Sequence, residues 1–167
     1  MNRRLVVLLL LFDVNWALAV FGQADTLWWQ ALVTMAMWLS ASGWRRLGSA
    51  IAILGIGLDA VLIQQQVLSL SGSPVAMPMH LALLWLGFGL SLAACQPRLP
   101  KSTWALALLG GVMGSVGYYL GERFGALELA PTTSLGVVII GLCWALLFPL
   151  GRALITALAP DSLGGKP

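Results

Sequence analysis

The stretch LGSAIAILGIGLDAVLIQQQVL, residues 47–68, decides the fold. Between Arg46 and the glutamines at 64–66, its only ionisable residue is Asp59. A helix needs about 20 predominantly apolar residues to cross the hydrocarbon of a bilayer. The segment therefore reads as a membrane span that carries a carboxyl group inside it, and a carboxyl in hydrocarbon must face protein or water.

Comparable stretches lie on both sides of it. Together they predict six spans at about 5–22, 27–43, 47–68, 79–95, 103–121 and 133–158, each bounded by charge, proline or small polar residues. Composition agrees: 59% of the 167 residues are apolar and 9% charged, against about 25% charged in soluble domains. Six spans take up roughly 120 residues. What remains is too short for a soluble catalytic domain, a nucleotide-binding domain or a long extramembrane arm. The expected fold is all-α, a single integral-membrane bundle. The start, MNRRLVVLLLLFDVNWALA, has the basic head and apolar run of a signal peptide. Its apolar stretch continues through Asp13 and Asn15 to Gly22, which reads as a retained first span.

Basic residues set the orientation. Arg3, Arg4, Arg45, Arg46, Arg98, Lys101, Arg152 and Lys166 fall on one side of the alternating loops and Arg123 alone on the other. The positive-inside rule then places both termini in the cytoplasm. Trp44 and Trp104 mark the inner boundary, and Trp28 and Trp29 the outer one. The segment Ser69 to Pro78, with Gly72, Pro74 and Pro78, reads as a turn-rich loop, and Ala159 to Pro167 as a frayed tail. Pro149 is expected to bend the last span.

Small residues form stripes at helical spacing. In the fifth span Gly110, Gly114, Gly117 and Gly121 share a face suited to close helix packing, within the bundle or between copies. The third span repeats the pattern with Gly48, Ala52, Gly55 and Asp59, and the fourth with His80, Leu84, Gly87 and Ser91.

At about 1.5 Å per residue, counted from the cytoplasmic ends, Asp13 lies about 12 Å deep, Asp59 about 18 Å and Tyr118 about 22 Å. Glu122, Arg123 and His80 fall near the outer boundary, with Gln64 below them. This order suggests an outward-facing polar pocket anchored on Asp59, with Asp13, Tyr118, His80, Glu122, Arg123 and Gln64 as further ligand-binding candidates. Bland roles stand beside these: a backbone cap for Asp13, a solvated helix start for His80, a boundary ion pair for Glu122 and Arg123, and snorkelling to headgroups for Arg152. Cys95 and Cys143 read as packing residues. One histidine and no paired cysteine spacing give no metal site, and no cofactor is implied. No HExxH, GxSxG or P-loop motif occurs, so no catalytic residue is assigned. A basic, aromatic-interleaved surface for nucleic acid is missing as well.

Several pieces are similar to a family of small uncharacterised bacterial inner-membrane proteins, a domain of unknown function of about this length. They are Phe12 to Trp16 with Val20 and Gly22, Gly57-Leu58-Asp59, Pro78 with Trp85, Phe88 and Leu92, the run Gly114-x-x-x-Tyr118-x-x-Gly121-x-Arg123-x-Gly125-Ala126, and Gly141 with Trp144, Phe148 and Pro149. The chain departs from that pattern at Asp13, at His80 and at Ala93-Ala94-Cys95, where the family tends to glutamine, tryptophan and an Asn-His-Ser patch. The resemblance implies a multipass protein often encoded near cyclopropane-fatty-acid-synthase-like enzymes. It implies no activity.

The leading expectation is a membrane protein that binds or moves a small or lipidic molecule. A second is an accessory subunit holding a lipid-modifying enzyme, through a membrane or cytoplasmic protein contact. A third is an intramembrane enzyme using Asp13 and Asp59. Membrane lipids are partners in each.

Overall fold

The computed structural model describes residues 3–70 and 77–158. Gly72, Pro74, Lys166 and the tail from Ala159 lie outside the described residues. Helix α1 (Arg3–Ala17) runs through a π-helical turn (Leu18–Gly22) and a 3-10 turn (Gln23–Thr26) into α2 (Leu27–Ser40). Helix α3 (Arg45–Gln64), strand β1 (Leu68–Ser69), α4 (Met79–Cys95), α5 (Thr103–Arg123), strand β2 (Glu128–Leu129) and α6 (Thr133–Leu158) follow. Five helical runs are long and apolar enough to cross a membrane: Arg3–Ser40, Arg45–Gln64, Met79–Arg98, Thr103–Arg123 and Thr133–Leu154. The protein is a helical membrane protein, as its composition requires.

Two helix ends differ from expectation, for local reasons. The third helix stops at Gln64 rather than Leu68, because Gln66 takes a left-handed conformation (φ 58°) and lets Val67 N–H return to the Leu62 carbonyl at 2.9 Å. The fifth runs two residues further than expected and closes the same way: Gly125 (φ 74°) permits Ala126 N–H to reach the Gly121 carbonyl at 2.9 Å. The chain leaving both helices then pairs. Leu68 faces Leu129 and Ser69 faces Glu128 in an antiparallel ladder, extended by Ala130 N–H on the Val67 carbonyl at 3.0 Å.

Helices α3 and α4 pack as one hairpin and α5 and α6 as another; α3 touches α6, while α1 and α2 pack on each other and on α4. Helix α4 is central and buried almost continuously from Trp85 to Ala94. In lipid, apolar surface gains little by meeting other apolar surface, so close backbone approach and interhelical hydrogen bonds carry the association. Gly48, Ala52, Gly55 and Asp59 are all buried, as the stripe on α3 predicts. A methyl group on Gly48 would lie 2.8 Å from the Leu90 Cα, and one on Gly89 would strike the Gly48 carbonyl oxygen. Between α5 and α6, methyls on Gly110 and Gly111 would lie 2.6 Å and 3.2 Å from the Trp144 and Gly141 carbonyl oxygens.

The glycine face of α5 thus serves packing inside the molecule, with one correction. Gly110 and Gly114 receive α6, and Gly121 receives Leu127, but nothing lies within 4 Å of where a Gly117 side chain would stand. Arg152 also departs from expectation. Its guanidinium donates to the Pro100 carbonyl and ties α6 to the loop before α5. Pro149 is accommodated inside α6, which continues to Leu158. Trp28, Trp29 and Trp104 stand outward with 85%, 66% and 86% of their surface exposed, as boundary residues do. Cys95 and Cys143 are free thiols, partly buried.

Candidate functional site

Gly55 and Asp59 lie one turn apart on the face of α3 that meets α4. The missing side chain of Gly55 leaves room for the ring of Trp85. Seated there, Trp85 donates its indole N–H to Asp59 Oδ2 at 2.7 Å. From α5, the Tyr118 hydroxyl donates to Asp59 Oδ1. Asp59 is 2% exposed, and it forms no ion pair among the described residues. Each carboxylate oxygen holds one hydrogen bond and has lone-pair capacity for another.

Asp59 belongs to the wall of a cavity of about 190 Å³. Phe12, Trp16, Ala19 and Val20 line it from the first helical run; His80, Leu81, Leu84, Trp85 and Phe88 from α4; Met113, Gly117, Tyr118 and Gly121 from α5; and Trp144 from α6. Leu68, Leu70, Ala126 and Leu127 line it at the end where the β ladder sits. The rings form a continuous cluster. Trp85 and Trp144 centroids are 5.3 Å apart, Phe88 and Trp144 5.1 Å, and Tyr118 and Trp144 6.1 Å. Trp144 Nε1 is buried near the Tyr118 hydroxyl without the geometry of a hydrogen bond, and it has no partner among the described residues. The His80 imidazole reaches the cavity and makes no side-chain hydrogen bond within the described structure.

The structure therefore brings together three of the expected polar residues, Asp59, Tyr118 and His80, and separates the other four. Asp13 is exposed on α1, so it forms no catalytic pair with Asp59. Gln64 is exposed where α3 ends. Glu122 accepts the Leu129 N–H at 3.0 Å and holds the β2 segment in place, and Arg123 is exposed. None of these four lines the cavity.

Residues not foreseen as polar contributors matter as much. Two residues beyond Asp13, Asn15 is fully buried. Its amide donates to Thr34 Oγ1 at 2.8 Å, and its carbonyl accepts from Gln30 Nε2 at 3.1 Å. Gln30 Nε2 also donates to the His80 backbone carbonyl at 2.8 Å. These bonds fasten α1 and α2 to α4 beside the cavity. One sequence signal does point to Trp85 and Trp144: both stand inside spans, where a boundary role is excluded and the indole N–H needs a partner. The described residues hold no cluster of three or more histidine, cysteine or acidic side chains able to bind a metal.

A family model for proteins of unknown function, DUF2878, matches residues 5–150. The chain belongs to this family. Its matched region spans every wall of the cavity, from Phe12 to Trp144. No curated protein and no solved structure matches the chain.

Proposed function

We propose that this family member is a polytopic protein of the bacterial inner membrane that binds a small or lipidic molecule in the cavity beside Asp59. The run from Arg3 to Ser40 folds back on itself at residues 18–26, with α1 against α2, which supports six crossings. The skew of basic residues supports cytoplasmic termini. One observation carries the binding role: an aromatic cavity of about 190 Å³ whose wall includes the polar residues Asp59, Tyr118 and His80. A dry apolar cavity of about 150 Å³ already accepts benzene. Few, well-placed polar groups in an apolar wall are the usual constitution of a ligand site.

Gly117 provides the test, because it faces the cavity and has open space where a side chain would stand. Gly117→Leu should fill the cavity while leaving the helix contacts intact. Native mass spectrometry of wild-type protein released from nanodiscs is expected to show a bound small molecule of defined mass. In Gly117→Leu that species should fall at least tenfold, with an unchanged thermal midpoint. An equal amount on both proteins would overturn the reading.

The accessory-subunit reading draws on a different observation. Asp13 is exposed on α1 at about half the depth of the bilayer by helix rise, a position that a polar residue of a partner helix would relieve. Gly110 and Gly114, once candidates for that contact, are occupied by α6.

A further inference from the structure

One wall residue of the cavity is also exposed on the outside of the molecule, in the middle of a span. Met113 lines the cavity and is also 47% exposed. It lies ten residues into α5, about 15 Å along the helix, or about half the ~30 Å hydrocarbon thickness. Phe12 and Trp16 of α1 line the same cavity. Helices α1 and α5 are not packed on each other along their lengths. The described contacts between their outer ends are made by rings and one side-chain bond: Phe124 lies 6.4 Å from Trp16 and 4.9 Å from Phe21, and Gln23 Nε2 donates to the Gly125 carbonyl at 3.4 Å. At the ladder end, Leu68, Ala126 and Leu127 are buried over the cavity. Among the described residues, the exposed part of the wall is therefore on the side of α5, and the ladder end is covered.

The inner end of the cavity has a definite electrostatic character. Both oxygens of Asp59 are hydrogen-bonded, one to the Tyr118 hydroxyl and the other to the Trp85 indole N–H. No basic side chain pairs with it within the described structure. Trp85, Trp144, Tyr118 and Phe88 line the cavity with it, Trp85 and Tyr118 turning their polar edges to the carboxyl group.

Building on the binding role above, we propose that the guest is an amphiphile that enters from the bilayer between α1 and α5 and brings a cationic nitrogen to Asp59. Its apolar chain lies along Phe12, Trp16 and Met113. Its nitrogen lies against Asp59, for which no described residue supplies a counter-charge.

The test uses the full-length protein in nanodiscs at neutral pH, with tryptophan fluorescence as the readout and two probes of matched shape, dodecylamine and dodecanol. Methylamine serves as the cation without a chain. Dodecylamine is expected to bind at least tenfold more tightly than dodecanol, and methylamine not measurably. Asp59→Asn should keep the fold and remove the preference for the amine. Met113→Trp, which narrows the proposed entry, should slow dodecylamine binding several-fold. Equal affinity for the two long-chain probes, or an amine preference that survives Asp59→Asn, would overturn the cationic class; measurable methylamine binding, or an unchanged rate in Met113→Trp, would overturn entry from the bilayer. If Gly117→Leu leaves dodecylamine binding unchanged, the cavity itself is not the site. That outcome is distinct from the loss of charge preference and would remove the binding role as well.

Discussion

Gly89→Leu is expected to abolish the folded protein. At this point the backbones of α3 and α4 are in contact: a Cβ on Gly89 would strike the Gly48 carbonyl oxygen and lie 3.0 Å from the Ala52 nitrogen and 3.1 Å from the Gly48 carbonyl carbon. No side chain there can rotate away. Overpacking a tight interior costs about 1–3 kcal/mol when neighbours are able to yield, and backbone on both sides yields least. The helices would have to separate, and in lipid no hydrophobic gain offsets the lost contact. Separation would also carry Asp59 away from Trp85, since Gly48, Ala52, Gly55 and Asp59 form one buried face of α3. The expected measurement is loss of the monodisperse peak in detergent size exclusion, together with loss of cooperative thermal unfolding. Gly57→Leu is the matched control, because nothing lies within 4 Å of that position, and it should behave as wild type. A Gly89→Leu protein that elutes and melts like Gly57→Leu would show that the close approach does not hold the hairpin together.

Asp59→Ala is the second large effect. Removing the carboxylate strands two donors in the interior, the Tyr118 hydroxyl and the Trp85 indole N–H. An unsatisfied buried donor costs about 1–3 kcal/mol, while interhelical hydrogen bonds in membranes average nearer ~0.6 kcal/mol because the reference state also finds partners. The sum for two bonds is a loss of about 1–6 kcal/mol. Asp59→Asn retains a carbonyl oxygen for one donor, and the Tyr118 hydroxyl can turn to accept from the amide. The expected ranking of unfolding free energy is therefore wild type above Asn above Ala. Steric trapping or denaturant titration in mixed micelles would read it. An alanine variant as stable as the asparagine one would mean that the Tyr118–Asp59–Trp85 chain contributes nothing to holding α3, α4 and α5 together.

Much of this was legible in the sequence, and the limits have identifiable causes. Long apolar runs gave the helical membrane character directly, with six spans expected and five helical runs long and apolar enough to cross, and glycine spacing located the faces of α3 and α5 that pack. Depth along a helix, read from residue counts, put Asp59, Tyr118 and His80 on one polar trail with Asp13, Gln64, Glu122 and Arg123, and only the first three line the cavity. Depth is silent about rotation, however. Asp13 and Asn15 are two residues apart, about 200° around a helix; one is exposed and the other fully buried, and the apolar residues around them do not say which. The same ambiguity put Gly117 with its packing neighbours, although it faces the cavity. Trp85 could not be matched to Asp59 without knowing which faces of α3 and α4 meet. A ladder of two residues per strand has no periodicity to detect, so β1 and β2 read only as loops.

That ladder, small as it is, divides the molecule into a frame and a leaf. Leu68 with Leu129, and Val67 with Ala130, stitch the α3–α4 hairpin to the α5–α6 hairpin at one end, and Arg152 clasps the Pro100 carbonyl at the other. Four helices are laced at both rims. The α1–α2 hairpin has no such lacing to α5: it hangs from α4 by the amides of Asn15 and Gln30 and rests on α5 through aromatic edges and the Gln23 amide. Any parting of the bundle is therefore expected at the seam between the first two helices and α5, with α4 as the door-post they stay fastened to.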